Sequence, residues 1–205
     1  MATINAINSS IPIEITKGVT NATSFSTANG IVKYDGTRLV SSSTATIDAS
    51  NRITNTAQPA FLAYLSSTLS NVTGDGTWYY PIIFDQEIFD QGSNYNNATG
   101  IFTAPVTGKY VHIVYVKLSG YLAANVRSVA RVYTDNRTYS GEFINGYACS
   151  ASGELSLGCI CLSDMDSGDT ASYRVYVGDG TKVIDILQCS SSTDLVSFAS
   201  CYLCC

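Results

Sequence analysis

Seven cysteines and one histidine are the residues most able to ligate a soft metal or act as nucleophile and base in this chain of 205 residues. The cysteines fall in the last third, at Cys149, Cys159, Cys161, Cys189, Cys201, Cys204 and Cys205. A zinc site needs paired Cys-x-x-Cys or Cys/His sets, and only the Cys201–Cys205 cluster approaches that spacing. Cys159-Ile160-Cys161 has strand alternation, which puts both thiols on one face as small apolar filler. His112 lies inside the apolar run Tyr110–Leu118 with no nucleophile spaced beside it, so it reads as packed core. Asp85, Glu87 and Asp90 offer carboxylates for general acid–base work, but their spacing suits the solvated side of a strand. Asp164-Met-Asp166-Ser-Gly-Asp169 has the acids of a calcium loop without the ligand order or distal Glu of an EF-hand. Gly74-Asp75-Gly76 and Gly178-Asp179-Gly180 read as hairpin tips, because no helix follows to make a phosphate cradle. These types and spacings predict no catalytic centre, no metal and no cofactor. Aromatic faces are the remaining chemistry, and Trp78, Tyr121 and Asn136 are the candidate ligand contacts, with a glycan as the class they would suit.

The composition narrows the partners. Lys plus Arg is 11 against 16 Asp plus Glu, a net charge of −5, which leaves no electrostatic footprint for nucleic acid. No apolar stretch approaches the roughly 18 residues of a spanning helix, so no membrane partner is expected. Met1 to Val19 lacks the basic start and continuous apolar run of an export signal, so synthesis in a reducing cytoplasm with free thiols is expected. In that compartment the Asn-x-Ser/Thr triplets at Asn8, Asn21, Asn71, Asn97 and Asn136 carry no glycan.

The elements that must position these residues are β-strands. Residues 1–56 are rich in Ser, Thr, Asn and Ala, with short fragments at Ile11–Ile15, Ile31–Tyr34 and Arg38–Val40, bounded by the turn dipeptides Asn29-Gly30 and Asp35-Gly36. Strands this short bury no core alone, so this segment reads as an extended arm held by partners. From Thr56 the runs Phe61–Leu65, Trp78–Phe84, Tyr110–Leu118, Ser128–Tyr133, Leu155–Leu162, Ala171–Val177, Lys182–Leu187 and Leu195–Leu203 alternate with Gly, Asn, Asp and Ser clusters. Tyr110–Leu118 is apolar enough for a central strand covered on both faces. No segment has a capped helical repeat, so the fold class is all-β, a sandwich or jelly roll.

Phe89-Asp-Gln-Gly-Ser-Asn-Tyr-Asn-Asn-Ala-Thr-Gly-Ile-Phe-Thr-Ala-Pro-Val-Thr-Gly-Lys-Tyr110 resembles the signature of C1q-like domains, which share a trimeric jelly roll with the tumour necrosis factor group. The signature residues are Phe89, Tyr95, Asn96, Gly100, Phe102, Pro105, Gly108 and Tyr110. The resemblance extends to Gln58–Phe61, Pro81–Phe84, Ser167–Asp169 with Tyr173–Val177, and Phe198–Leu203, where Cys201 stands in place of the usual Gly. It covers about residues 57–205, giving a division into an anchoring arm, 1–56, and a C1q-like jelly-roll head, 57–205. These residues shape turns and core: Gly100 can take positive φ, Phe102 points inward, and Pro105 and Gly108 let the chain reverse into the long strand. The resemblance implies a homotrimer, with Phe61, Tyr110, Phe198 and Tyr202 as candidate interface residues.

The arm's NGIVKYDGTRLVSSS stretch is similar to connecting segments of phage fibre and particle-surface proteins. A non-enzymatic virion surface protein is therefore expected: a trimeric capsid decoration, cement or short-fibre protein assembled in the host cytoplasm. Residues 1–56 would dock on the major capsid protein or another virion protein. The alternative is an adhesin head that binds a host receptor or carbohydrate.

Overall fold

The computed structural model describes residues 29–37, 39–144 and 153–205. The chain divides between Ala57 and Gln58 into two units. In the first, β1 (Gly30–Tyr34), β2 (Leu39–Ile47) and β3 (Ile53–Asn55) form an antiparallel sheet in that order. The turn chemistry explains its reversals. Gly36 has φ 100° in the first, where the Asp35 carboxylate accepts from Thr37 N. In the second, the Asp48 carboxylate accepts from the backbone of Ser50 and Arg52 beside Asn51 at φ 61°. None of the described residues of this unit is buried, and Val32, Tyr34, Ile47 and Ile53 are exposed. The sheet has no core of its own. The fragment expected at Ile11–Ile15 lies outside the described residues.

The second unit contains β4 (Ala60–Tyr64), β5 (Leu69–Thr73), β6 (Trp78–Tyr79), β7 (Gln86–Gln91), β8 (Tyr95–Asn96), β9 (Ile101–Thr103), β10 (Gly108–Ser119), β11 (Arg127–Thr134), β12 (Thr138–Ile144), β13 (Leu155–Met165), β14 (Thr170–Val177), β15 (Ile184–Ile186) and β16 (Phe198–Leu203). They build two sheets and no helix among the described residues. In the first sheet β10 is central, with β13 on one edge and β16, β4 and β7 following on the other; β15 and β5 continue beside the end of β10. The second sheet runs β12-β11-β14-β9-β8, with β6 also paired to β14.

Alternation along the strands puts one set of side chains between the sheets. Tyr110, Val114, Val116 and Leu118 of β10 meet Ala171, Tyr173, Val175 and Val177 of β14 in one buried cluster, and the buried His112 ring lies 6.2 Å from that of Tyr173. Aromatic packing fixes its centre. Phe61 stacks on Tyr95 with ring centres 4.3 Å apart, and Phe102 lies 5.7 Å from Phe61 and edge-on to Tyr110 at 5.6 Å. Tyr95 also keeps its hydroxyl satisfied, accepting from Phe84 N at 3.1 Å.

The turn motif works as expected. Asn96 O accepts from Gly100 N at 2.8 Å, and Gly100 sits at φ 72° where a Cβ would stand 2.7 Å from Ile82 O. No L side chain fits there, so the chain can turn into β9 and bury Phe102 only with glycine.

Two expectations need correction, and one signature residue is placed away from the core. The signature residue Phe89 shapes the fold from outside the core: it lies on β7 opposite Leu62 and is exposed. The run Trp78–Phe84 pairs only at Trp78–Tyr79, after which Ile82 and Phe84 are buried outside any strand. Strands β5, β7 and β12 have too many polar residues for their alternation to stand out. Finally, β10 is covered on one face only. Val111, Ile113 and Lys117 on its other face are half-buried, and Tyr115 is exposed.

Replacing Phe102 by Ala removes a fully buried ring that touches three aromatic neighbours. The expected loss is about 3–5 kcal/mol of unfolding free energy, measured by denaturant titration.

Candidate functional site

Strand register places the outward residues of the β10 sheet in rows. One row runs Leu162, Val111, Tyr202, Ala60; the next Ile160, Ile113, Ser200, Leu62, Phe89; the third Gly158, Tyr115, Phe198, Tyr64. None of these positions is charged. Ile160 is 73% exposed and Leu162 56%, high values for branched aliphatic side chains. At normal strand spacings the three rows span on the order of 500 Å². Charges begin where the rows end. Lys109 pairs in register with Asp164 beyond the first row, and Lys117 bridges Glu154 at 2.9 Å beyond the third. An uncharged aliphatic and aromatic centre with a charged border is the composition of an interface core and its rim.

Local packing holds this face flat. Gly158 lies under Tyr115, and a Cβ there would come within 2.9 Å of the ring and 3.0 Å of Val114 O. Tyr115 can therefore lie against the sheet, with its ring centre 5.9 Å from Phe198 in a stacked arrangement.

The structure corrects half of the predicted interface set. Phe198 and Tyr202 are on this face, Phe198 half-buried and Tyr202 exposed. Phe61 and Tyr110 are fully buried between the sheets of their own protomer. A one-residue change of parity along a strand moves a side chain to the opposite face, so the outward residues on those strands are Leu62 and Val111. Of the predicted ligand contacts, Tyr121 is buried against Ser128, so it cannot serve. Asn136 is exposed, but its amide donates to Asp164 O and the Asp169 carboxylate, both at 3.1 Å, and so closes a turn. Trp78 is half-buried beneath Arg131.

The other candidates have structural duties. Asp164 holds Arg137 through two hydrogen bonds of 2.9 and 2.8 Å, and that contact lowers its pKa to about 2. Asp169 accepts from Asp166 N, so these acids tie a turn together. Asp85 caps Ser66, and Asp90 accepts from the backbone of Asn94 and Tyr95. Among the described residues no three His, Cys, Asp or Glu side chains are grouped to hold a metal. None of the described cysteines forms a disulfide; Cys149 lies outside the described residues.

His112 is fully buried, with Nδ1 3.2 Å from the Tyr173 hydroxyl and Nε2 3.4 Å from Met165 Sδ. Cys161 and Cys201 are its direct partners on the two flanking strands. Burial lowers its pKa to about 4 and pushes the Cys201 thiol up. The neutral imidazole is a packed polar wedge with no route for substrate.

Residues 60–154 match the family model of the C1q domain. Among solved structures, the globular domain of zebrafish complement 1qA protein aligns with a TM-score of 0.51 at 17% identity, covering 72% of this chain and 98% of that one. Eiger TNF from S. frugiperda aligns at TM-score 0.49 and 12% identity, over 73% of this chain and 94% of that one. A crystal structure of murine APRIL aligns at 0.46 and 12%, over 71% and 98%. The fold assignment rests on the family model and the first of these structures.

Because the folded state resists protonating His112, the unfolded chain binds that proton first. Stability is then unaffected above about pH 6.5 and falls as the pH drops from 6.5 towards 4, by roughly 3 kcal/mol in full. Denaturant titrations across that range should show the loss, and His112→Gln should flatten it while leaving the carboxylate-driven loss below pH 4. An unchanged slope in the variant contradicts the assignment.

Proposed function

We propose, from a head that is a C1q/TNF-like domain, that the chain works as a self-associating structural and binding module, with three copies meeting through the outward face of the β10 sheet. The observation that carries this reading is the set of uncharged rows around Ile113 and Ile160. In water such a face is costly to leave open. It supplies more than half of the roughly 800 Å² that each partner contributes to a stable interface. Domains of this type form homotrimers, and a threefold arrangement lets one face of each copy meet another without leaving an open end.

The finer reading concerns placement. A β1–β3 sheet with no buried residue needs a surface to cover Val32, Tyr34, Ile47 and Ile53. We propose that residues 1–56 dock on a larger assembly, the outer shell of a virus particle, with the head projecting as decoration, cement or short fibre. Three weak arms held together by the head attach more durably than one. The resemblance of NGIVKYDGTRLVSSS to phage fibre segments supports this placement, as do the Ser- and Thr-rich composition and the absence of a catalytic constellation in the sequence.

Sedimentation of the full chain should give about three times the 21.8 kDa chain mass. Ile160→Asp changes a side chain that contacts little within its own protomer, so the variant should stay folded by circular dichroism and sediment as a monomer. A wild-type monomer, or an Ile160→Asp trimer, overturns the assembly reading. Imaging of the intact particle tests the placement. Copies seated through the arm on the shell are expected, and a particle without them refutes it.

A further inference from the structure

The outward face of the opposite sheet carries a different chemistry. Arg131 of β11 and Arg174 of β14 are direct cross-strand partners, an arrangement of like charges that costs stability. Neither meets a carboxylate within ion-pair distance among the described residues. Their neighbour Arg127 is treated differently, since it is neutralised by Glu142. The direct partner of Arg131 on β12 is Ser140, which accepts from Arg131 Nε at 3.0 Å. Nε of Arg174 is buried and has no hydrogen-bond partner. Burial, and then the charges of Arg174 and Arg127, pull the Arg131 guanidinium below its usual range.

Aromatic rings hold both guanidinium planes in place. Arg131 lies 3.9 Å from the centre of the Trp78 ring. Arg174 lies 3.6 Å from the Tyr133 ring centre and 4.5 Å from that of Tyr80. Stacking stabilises the cations without using their in-plane N–H donors, so two pre-oriented forks remain with little hydrogen bonding to the protein. Planar forks fixed in this way suit an oxyanion held by paired hydrogen bonds, and their ordering entropy is already lost before binding. Tyr80 is 57% exposed and Tyr133 39%, leaving ring surface beside the cations.

We propose that Arg131 and Arg174, flanked by Trp78, Tyr80 and Tyr133, form a binding site for an acidic saccharide. The two guanidinium groups take its carboxylate or sulfate, and a sugar ring lies against the exposed tyrosine surface. Nucleic acid does not fit as well. Two uncompensated cations on a chain of net charge −5 neutralise too few phosphates for useful backbone affinity. The site lies on the sheet opposite the assembly face and does not depend on trimer formation.

Trp78 is the one tryptophan of the chain and contacts Arg131, so its fluorescence reports on the site. The full-length protein is titrated with sialyllactose, a heparin tetrasaccharide, neutral lactose and inorganic sulfate, each up to about 10 mM. At least one acidic saccharide should perturb the fluorescence saturably and bind at least about tenfold tighter than lactose and sulfate. The sialyllactose and heparin arms separate a carboxylate ligand from a sulfate one. Arg174→Gln and Arg131→Lys, both checked for folding by circular dichroism, should each weaken binding by about tenfold or more. Arg131→Lys keeps the charge and removes the fork, and it decides the matter if Arg174→Gln does not fold. The proposal is overturned if neither acidic saccharide binds, if lactose or free sulfate binds equally well, or if folded variants bind like the wild type.

Discussion

The structure depends on the two faces of β10. Its 12 residues pair along nearly their whole length with β13 on one edge, and with β16 and then β15 on the other. The inward side chains, from Tyr110 to Leu118, supply the centre of the sandwich core. The outward ones, Val111, Ile113 and Tyr115, cannot be made polar without losing the apolar face that the neighbouring rows extend. A single strand therefore ties the stability of the protomer to the chemistry of the surface it presents. The core is satisfied within one chain, whereas the outward face is apolar without being covered by it.

The two sheets of the head solve the problem of a wet surface differently. The β10 sheet excludes charge from its centre and places Lys109, Asp164, Lys117 and Glu154 at the ends. The opposite sheet gathers Arg127, Arg131 and Arg174 among aromatic rings and, among the described residues, neutralises only the first with a carboxylate. One face is suited to another apolar surface and the other to an anion. The residues of the two faces do not overlap, so the proposed assembly and the proposed anion site do not compete for the same side chains. The β1–β3 sheet belongs to neither scheme, since it has hydrogen-bonded strands but no interior.

Much of this was legible in the sequence. The spacing from Asn96 to Tyr110 encodes a turn, a short strand and a reversal; the structure has Gly100 at φ 72° in the turn and Phe102 buried, whereas Gly108 is already in β10, where a Cβ would stand 2.6 Å from Cys205 O. His112 reads as core from its place in an apolar strand, and it is fully buried; the expectation that no nucleophile lies beside it does not hold, since Cys201 Sγ is 3.7 Å from Nε2, a thiol that burial keeps protonated. The assembly face was harder to read. Long apolar strands announce burial but not which parity is buried by the same chain, so Phe61 and Tyr110 were chosen although Leu62 and Val111 are the outward residues there. Alternation within Tyr110–Leu118 held that signal once one inward residue was known. The Arg131–Arg174 pair was not legible at all. The two arginines become neighbours only through the register of β11 with β14, and Trp78 joins them through a two-residue strand that periodicity does not detect.

Oxidative footprinting of the tyrosines tests the central claim most directly, because matched residues sit on both faces. Tyr202 on the β10 sheet is 44% exposed in a single protomer and Tyr133 on the opposite sheet is 39% exposed. If other copies cover the β10 face, hydroxyl radicals should modify Tyr202 several-fold more slowly than Tyr133 in the native protein. Equal modification of the two tyrosines would mean that the face stands open in solution, and the account of the head as a self-covering assembly would be wrong.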